Sequence, residues 1–345
     1  MLMQRMCAPL RNRIDRNTMS ETTYTFLAFD DAPRVPGTPQ GCLWGFYDRD
    51  GVKDEIGSIN LLTPQVVLNA RSEIRTGRHI QLDWPLDSVT YPSFGRKAFE
   101  RRVVNLKESS GAVGFDDEIH INTQSGSQWD SLRHHACQKQ EVFYNGLTFA
   151  ESLVSDRNGI HNWCERGGIV GRGILADMVR FYETRDGTSP DPTTRHAIPI
   201  TDIRSALARQ GTIPRQGDIL FIRSGFVRWH NSASDVERRR RTLENETFIG
   251  LEASEASVRW LYGQHFAALV GDTAAFEAWP LASDSPWHLH EWALGWWGTP
   301  LGEMWDLEGL STECANQARW SFFLTSAPLH VRGGVGSPPG AIAIF

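Results

Sequence analysis

The sequence predicts a mixed α/β fold in a single compact domain, and two patterns carry that prediction. Short apolar runs bounded by glycine and proline read as buried strands, and capped amphipathic stretches lie between them. Strands and helices are mixed along the whole chain, so the class is α/β or α+β. A chain of 345 residues can form one large domain or two ordinary ones. No repeat or low-complexity linker divides it, so the expected organisation is a flexible extension over 1–22 and one domain over 23–345.

Each element has a local justification. Thr63-Pro64 before QVVLNARSEIRTG supplies an N-cap and a first-turn proline, with Gly77 as the stop. HIQLDWPL from His79 reads as a strand. Asp202 is placed to cap a short helix ending near Gly211, and GDILFIRSGFV from Gly217 reads as a buried strand. Ser254 or Glu252 opens the helix EASEASVRWLYGQ, after which FAALVGD from Phe266 is another buried strand. WSFFLTSAPLHV from Trp320 closes the series, followed by GGVGSPPG as a tight turn. Gly171-Arg172-Gly173 lacks the third glycine and preceding strand of a nucleotide fingerprint, and Arg238 to Arg241 read as a solvated charged face.

Composition limits the function. Hydrophobic content of 40% and charged content of 22% are those of a soluble globular chain. A net charge of -6 gives no reason to expect nucleic acid, and a small-molecule partner is the default. No apolar run is long enough to span a bilayer. Cys7, Cys42, Cys137, Cys164 and Cys314 are odd in number and scattered, which favours reduced thiols and a cytoplasmic home. The glycosylation triplet Asn245-Glu246-Thr247 has no signal peptide to support it, and MLMQRMCAPLRNRIDRNTMS reads as an extension with Met19 as the start. Thirteen tryptophans are an excess, with Trp279, Trp287, Trp292, Trp296, Trp297, Trp305 and Trp320 all late in the chain. Most large aromatics are core, but this concentration suggests that part of the wall faces a flat apolar ligand.

Residues capable of chemistry gather in two places. The first is QSGSQWDSLRHH, Gln124 to His135, and the second is His288-x-His290-Glu291 followed by Gly302-Glu303. On a helix, Asp130 and His134 would share a face, and a carboxylate orienting an imidazole is an acid/base device. The same spacing also occurs as an ordinary surface contact.

These residues resemble the signature H-x-G-T-H-x-D-x-x-x-H of the cyclase/kynurenine formamidase-like superfamily. GFYDRDGVKDEIGSINLLTP resembles its entry segment, and FYNG, GRGILAD, GDILFIRSGF and FAALVGDTAAFE follow in the order of its longer members. LHEWALGWWGTPLGEMWDLEGL and FFLTSAPLHVRGGVGSPPGAIAI complete a resemblance over roughly residues 40 to 345. It implies one α/β domain on a partly barrel-like mixed sheet flanked by helices, assembled as a homo-oligomer. It also implies Asp130 as a metal-ligand aspartate, His134 as the acid/base, His290 as a later histidine with His288 its competitor, and Glu303 as the glutamate. Substrate contacts fall to Gln124, Gln128, Ser127, Trp44, Trp129, Tyr144 and Asn145.

The departure lies at Gln124 and Gln128, which stand where the family has two metal-binding histidines. Amide oxygens are poor donors for zinc or manganese, so the expected cofactor is none; the alternative is one divalent metal, zinc or manganese, on Asp130, His290 and Glu303. Without a metal, Asp130 and Glu303 would share a partly dry pocket in which one takes up a proton near neutral pH. His134 completes a proton-handling set, and the glutamine amides are free for substrate oxygens. The expected function is metal-independent dehydration and ring closure by a cyclase or lyase of secondary metabolism. Its substrate would be an aromatic or polyketide-like molecule passing through a quinone-methide-type intermediate. The alternatives are a metal-dependent hydrolase of an amide, lactone or cyclic imide, and a non-catalytic binding protein. His120 or His135 would be available as an extra ligand.

Overall fold

The computed structural model describes residues 23–281 and 285–345; the extension expected over 1–22, with Cys7, lies outside them. A nine-stranded mixed sheet, curled into a half-barrel, organises the described chain. In chain order its strands are β1 (His79–Gln81), β2 (Gln128–Asp130), β3 (Ile169–Asp177), β4 (Ile219–Arg223) and β5 (Ala268–Gly271). They continue as β6 (Leu301–Glu303), β7 (Ser321–Ser326), β8 (Gly336–Ser337) and β9 (Ala341–Ile344). Across the sheet the order is β1-β9-β7-β3-β4-β5-β6-β2-β8. Strands β3 to β6 run parallel, and the pairs on either side are antiparallel. The curl brings the segment after β1 to the segment before β2, where the Trp84 backbone N–H donates to Ser127 Oγ at 2.7 Å.

The central strands form where the apolar runs predict them. Every residue of β4 and β5 is buried, as expected of parallel strands covered on both faces. Helices α1 (Pro64–Ala70), α2 (Met178–Asp186), α3 (Ile200–Arg209), α4 (Phe226–Ser232), α5 (Glu255–Gln264) and α6 (Glu308–Asn316) accompany the sheet. Thr63 caps α1 by accepting from the Val66 N–H, and Ser254 caps α5 by accepting from that of Ser257. Gly211 follows α3 with φ of +65°, but Gly77, at +72°, does not stop α1 as expected: that helix ends at Ala70, a short turn carries the chain to Glu73, and Gly77 donates to the Phe345 carbonyl.

Four further local expectations change. Asp202 does not cap α3: Pro199 holds that position, and Asp202 pairs with Arg185 from the first turn. The strand from His79 stops at Gln81, because Asp83 turns its carboxylate to the Gly340 and Ala341 N–H groups. GGVGSPPG is more than a turn, since Gly336 and Ser337 pair with Asp130 and Trp129 as β8. Asp130 and His134 do not share a helix, because Asp130 ends β2 and His134 lies in the following turn. The two features set aside behave as read. Arg172 is buried in β3 between Glu73 and Asp218, and Arg239, Arg240 and Arg241 pair with Glu244 and Glu237 at the surface.

Most late tryptophans are core. Trp292, Trp296, Trp297 and Trp305 are buried, and Trp287 stacks on Trp292 at 5.7 Å. Among the described residues no helix is long and apolar enough to cross a membrane.

Gly173 of β3 pairs directly with Phe322 of β7. A Cβ on Gly173 would lie 2.3 Å from Phe322 Cε2, so Gly173→Ala should lower unfolding stability by about 1–3 kcal/mol. Urea titration checks this, and an unchanged midpoint at unchanged slope would contradict the packing described.

Candidate active site

The site is built on the antiparallel pairing of β2 with β6. Gln128 lies directly opposite Glu303, and Asp130 opposite Leu301, so Gln128, Asp130 and Glu303 share one face. Alternation turns Trp129 to the other face, where its Nε1 donates to Ser326 Oγ and its ring packs edge-on against Trp305. Trp305 in turn donates Nε1–H to the Gln128 carbonyl at 2.9 Å, fastening the back of the pair.

Polar side chains on the shared face form one continuous network. Gln124 Nε2 donates to Asp130 Oδ1 at 2.6 Å, and Gln128 Nε2 donates to Glu303 Oε2 at 2.6 Å and to Gln124 Oε1 at 2.8 Å. Glycine at 336 is needed for this, since a Cβ there would sit 2.6 Å from Gln124 Nε2. Each carboxylate therefore has one oxygen held by an amide. The other oxygens, Asp130 Oδ2 and Glu303 Oε1, are buried without a hydrogen-bond partner, as is Gln128 Oε1.

His290 completes the cluster from the residue preceding a π-helix, Glu291–Trp297, an element frequent at functional sites. Its Nε2 lies 3.1 Å from Glu303 Oε1, out of hydrogen-bond alignment, and 4.0 Å from Asp130 Oδ2. Its Nδ1 lies 3.2 Å from Glu277 Oε1, and its backbone N–H also points to that carboxylate. Burial opposes a charge on His290, but Glu277 and Glu303 outweigh it and hold the imidazolium well above its ordinary range. Burial and then the Glu303 charge push the Asp130 carboxyl up to about 7.

The remaining predicted residues separate into three groups. His134 and His135 stand beside His290, with ring centroids 6.4 and 5.5 Å from it. Burial and the neighbouring His290 charge hold His134 neutral, well below its usual range, and bring His135 down to about 3. No hydrogen bond joins Asp130 to His134 among the described residues, so the carboxylate does not orient that imidazole directly. His288 lies 3.6 Å from Glu291, leaving His290 as the histidine of the cluster. His120 is apart, exposed on a hairpin with Lys97 and Glu100.

The third group frames the site. Ser127 is used as a clip, donating to the Met304 carbonyl at 2.6 Å while accepting from the Trp84 N–H. Tyr144 and Asn145 anchor the entry segment: Tyr144 Oη donates to Asp54, and Asn145 Nδ2 donates to Asp48 Oδ1 and the Asp54 carbonyl. Trp44 donates to the Gly295 carbonyl at 2.7 Å and packs on Trp296. Trp129, Ser127, Tyr144 and Asn145 thus each have a partner within the protein. Glu277 and Arg96 were not anticipated. The only sequence signal for Glu277 is a carboxylate ending the apolar run FAALVGDTAAFE.

The donor set can be tested against one divalent ion. Single ligand atoms of Asp130, His290 and Glu303 all lie within 4.8 Å of one another, and the carboxylate oxygens paired with His290 Nε2, Asp130 Oδ2 and Glu303 Oε1, are the unpartnered ones. The Glu277 contact on Nδ1 is the usual outer support of a metal-ligating histidine. These three residues fit a single ion. The amide nitrogens of Gln124 and Gln128 face the carboxylates; Gln124 Oε1 is taken by Gln128, and Gln128 Oε1 has no hydrogen-bond partner.

With fold and site described, the chain can be placed. A family model described as "Putative cyclase" matches residues 37–278, and the chain belongs to this family. A solved structure described as a novel cyclase superposes with a TM-score of 0.76 at 30% identity, covering 88% of this chain and 99% of that one. Isatin hydrolase A from Labrenzia aggregata, bound to benzyl benzoate, superposes with a TM-score of 0.55 at 15% identity, covering 83% and 98%. Isatin hydrolase A from Ralstonia solanacearum gives 0.54 at 18% identity, covering 82% and 98%. The last two share the fold. No curated protein matches the chain in sequence.

The Asp130 environment has a consequence for stability. Its folded value of about 7 lies above the ordinary carboxyl value of 3.8, so its contribution is fully present below that lower value and is lost as pH rises through about 7. Urea midpoints measured across this window should fall more steeply for the wild type than for Asp130→Asn. Parallel profiles would contradict the assignment.

Proposed function

We propose that this cyclase-family chain is a lyase or cyclase that handles protons without a metal-activated water, on a hydroxylated aromatic or polyketide-like small molecule. One observation carries the reading: His290 is enclosed by Glu277, Glu303 and Asp130, with Nε2 3.1 Å from Glu303 and 4.0 Å from Asp130. Carboxylates this close cannot all stay ionised without a positive particle among them. A proton serves, because the glutamine amides already neutralise part of the carboxylate charge.

The chemistry follows from these protonation states. A substrate hydroxyl lodged against Asp130 Oδ2 and Gln128 Oε1 takes a proton from the cluster as its C–O bond breaks, and leaves as water. Neutral His134 accepts the proton of a conjugated phenol or enol, giving a quinone-methide or enone. Ring closure of that intermediate then needs no further net proton. Return of the proton from His134 to the cluster restores the starting state.

The second reading rests on the unpartnered oxygens facing His290 Nε2. A divalent ion bound by Asp130, His290 and Glu303 would polarise a carbonyl or activate water, which suits hydrolysis of an amide, lactone or cyclic imide. Isatin, named for two of the structures sharing the fold, is the natural probe of this alternative.

The two are separated by assaying purified protein on 2-(hydroxymethyl)phenol with an enol ether, reading chroman formation, and in parallel on isatin, reading ring opening. Chroman formation should survive a chelator and fall about 10²–10⁴-fold in His134→Ala and Asp130→Asn. Isatin opening lost together with a stoichiometric metal, and no chroman, would replace the proposal with the hydrolase reading.

A further inference from the structure

The centre of the site is rich in acceptors, yet one cation stands at its edge without an anion. Arg96 lies over the Phe94 ring at 4.8 Å and donates Nη1–H to the Gln124 backbone carbonyl at 2.9 Å. Among the described residues no carboxylate pairs with it, whereas its neighbour Lys97 is paired with Glu100. Arg96, Gln124 and Ser125 line one small cavity together with Met304, the residue after Glu303. The Arg96 charge also helps lower the Asp130 and His134 values, which places the guanidinium in the field of the site.

The support beneath Arg96 is built. Phe94 adopts φ of +60°, a region costly for an aromatic residue, and its N–H is held by the Glu246 carboxylate. Its ring meets Trp279 edge-on at 5.2 Å. Stacking holds one face of the guanidinium, and the bond to Gln124 uses one of its five N–H donors.

We infer that Arg96 is an anion subsite, and that the substrate carries a carboxylate or enolate oxygen on the side opposite the hydroxyl that reacts at Asp130, His290 and Glu303. The orientation rests on the reaction site proposed above; the anion subsite rests on Arg96. Charge favours this polarity. An anionic group turned inward would meet Glu303 and Glu277, which already claim the His290 imidazolium, whereas turned outward it meets a planar donor able to bind two oxygens at once. The guanidinium therefore selects hydroxy acids, or their vinylogous enols, over neutral alcohols of the same shape.

The test uses 4-(hydroxymethyl)benzoate, which has a hydroxyl and a carboxylate on opposite sides of the ring, and 4-(hydroxymethyl)benzamide, which keeps the hydroxyl but has no carboxylate. Calorimetric titration of the purified protein near neutral pH should show the benzoate bound about tenfold more tightly than the benzamide. Arg96→Gln should abolish this preference, so that the benzoate and the benzamide bind alike. Arg96→Lys, which keeps charge but not the planar fork, should retain part of it and decides the matter if Arg96→Gln does not fold. Equal binding of the two probes by the wild type, or binding of neither, overturns the inference. So does a preference that survives Arg96→Gln but vanishes with a chelator, since the carboxylate would then sit on an ion. An intact Arg96 effect with no chroman formation would keep the anion subsite and discard the proposed reaction.

Discussion

Everything at the site depends on keeping one imidazole among three carboxylates inside a protein. Glu277 takes Nδ1 and the backbone N–H of His290, while Glu303 and Asp130 face Nε2. Such a group is stable only if its charge is balanced and its remaining atoms are hydrogen-bonded. The β2–β6 pairing meets that demand by setting Gln128 opposite Glu303, so that the amides hold the outer carboxylate oxygens and leave the inner ones bare. The inner oxygens are thereby left for a proton, a substrate hydroxyl or an ion.

Gln124 and Gln128 have a definite task in this network. An imidazole in either position would offer a lone pair to the centre. The amides instead direct N–H groups at Asp130 and Glu303, and Gln124 spends its oxygen on Gln128. The network bears on the position and charge of both carboxylates, and the glycine at 336 keeps room for it. Arg96 extends the same logic outward, since it is tied to the backbone of Gln124 and adds a positive charge at the edge of the site.

Local physics made much of the fold legible in the sequence. The runs around Ile219–Arg223 and Ala268–Gly271 have the length and apolarity of buried strands, and Thr63 and Ser254 cap helices by bonds spanning only three residues. What depended on distant pairing was less legible. Nothing near Gly336 reveals that it pairs with Asp130, and the spacing of Asp130 from His134 suggested a helix where β2 ends in a turn. Trp129 looked available for a ligand until the strand register turned it into the core against Trp305. Asp130, His290 and Glu303 were chosen correctly as neighbours through the family resemblance, because their types and order match its signature. Glu277 escaped notice because its function is defined entirely by a histidine thirteen residues later.

The central claim is that the bare oxygens of this cluster share a proton in the working protein. Infrared difference spectroscopy of the carboxyl C=O stretch, with wild type compared against Asp130→Asn, tests it most directly. The account predicts a protonated-carboxyl band that persists at pH 6, fades as pH passes about 7, and is missing from the variant. A spectrum in which the Asp130 carboxyl is already ionised at pH 5 would contradict it.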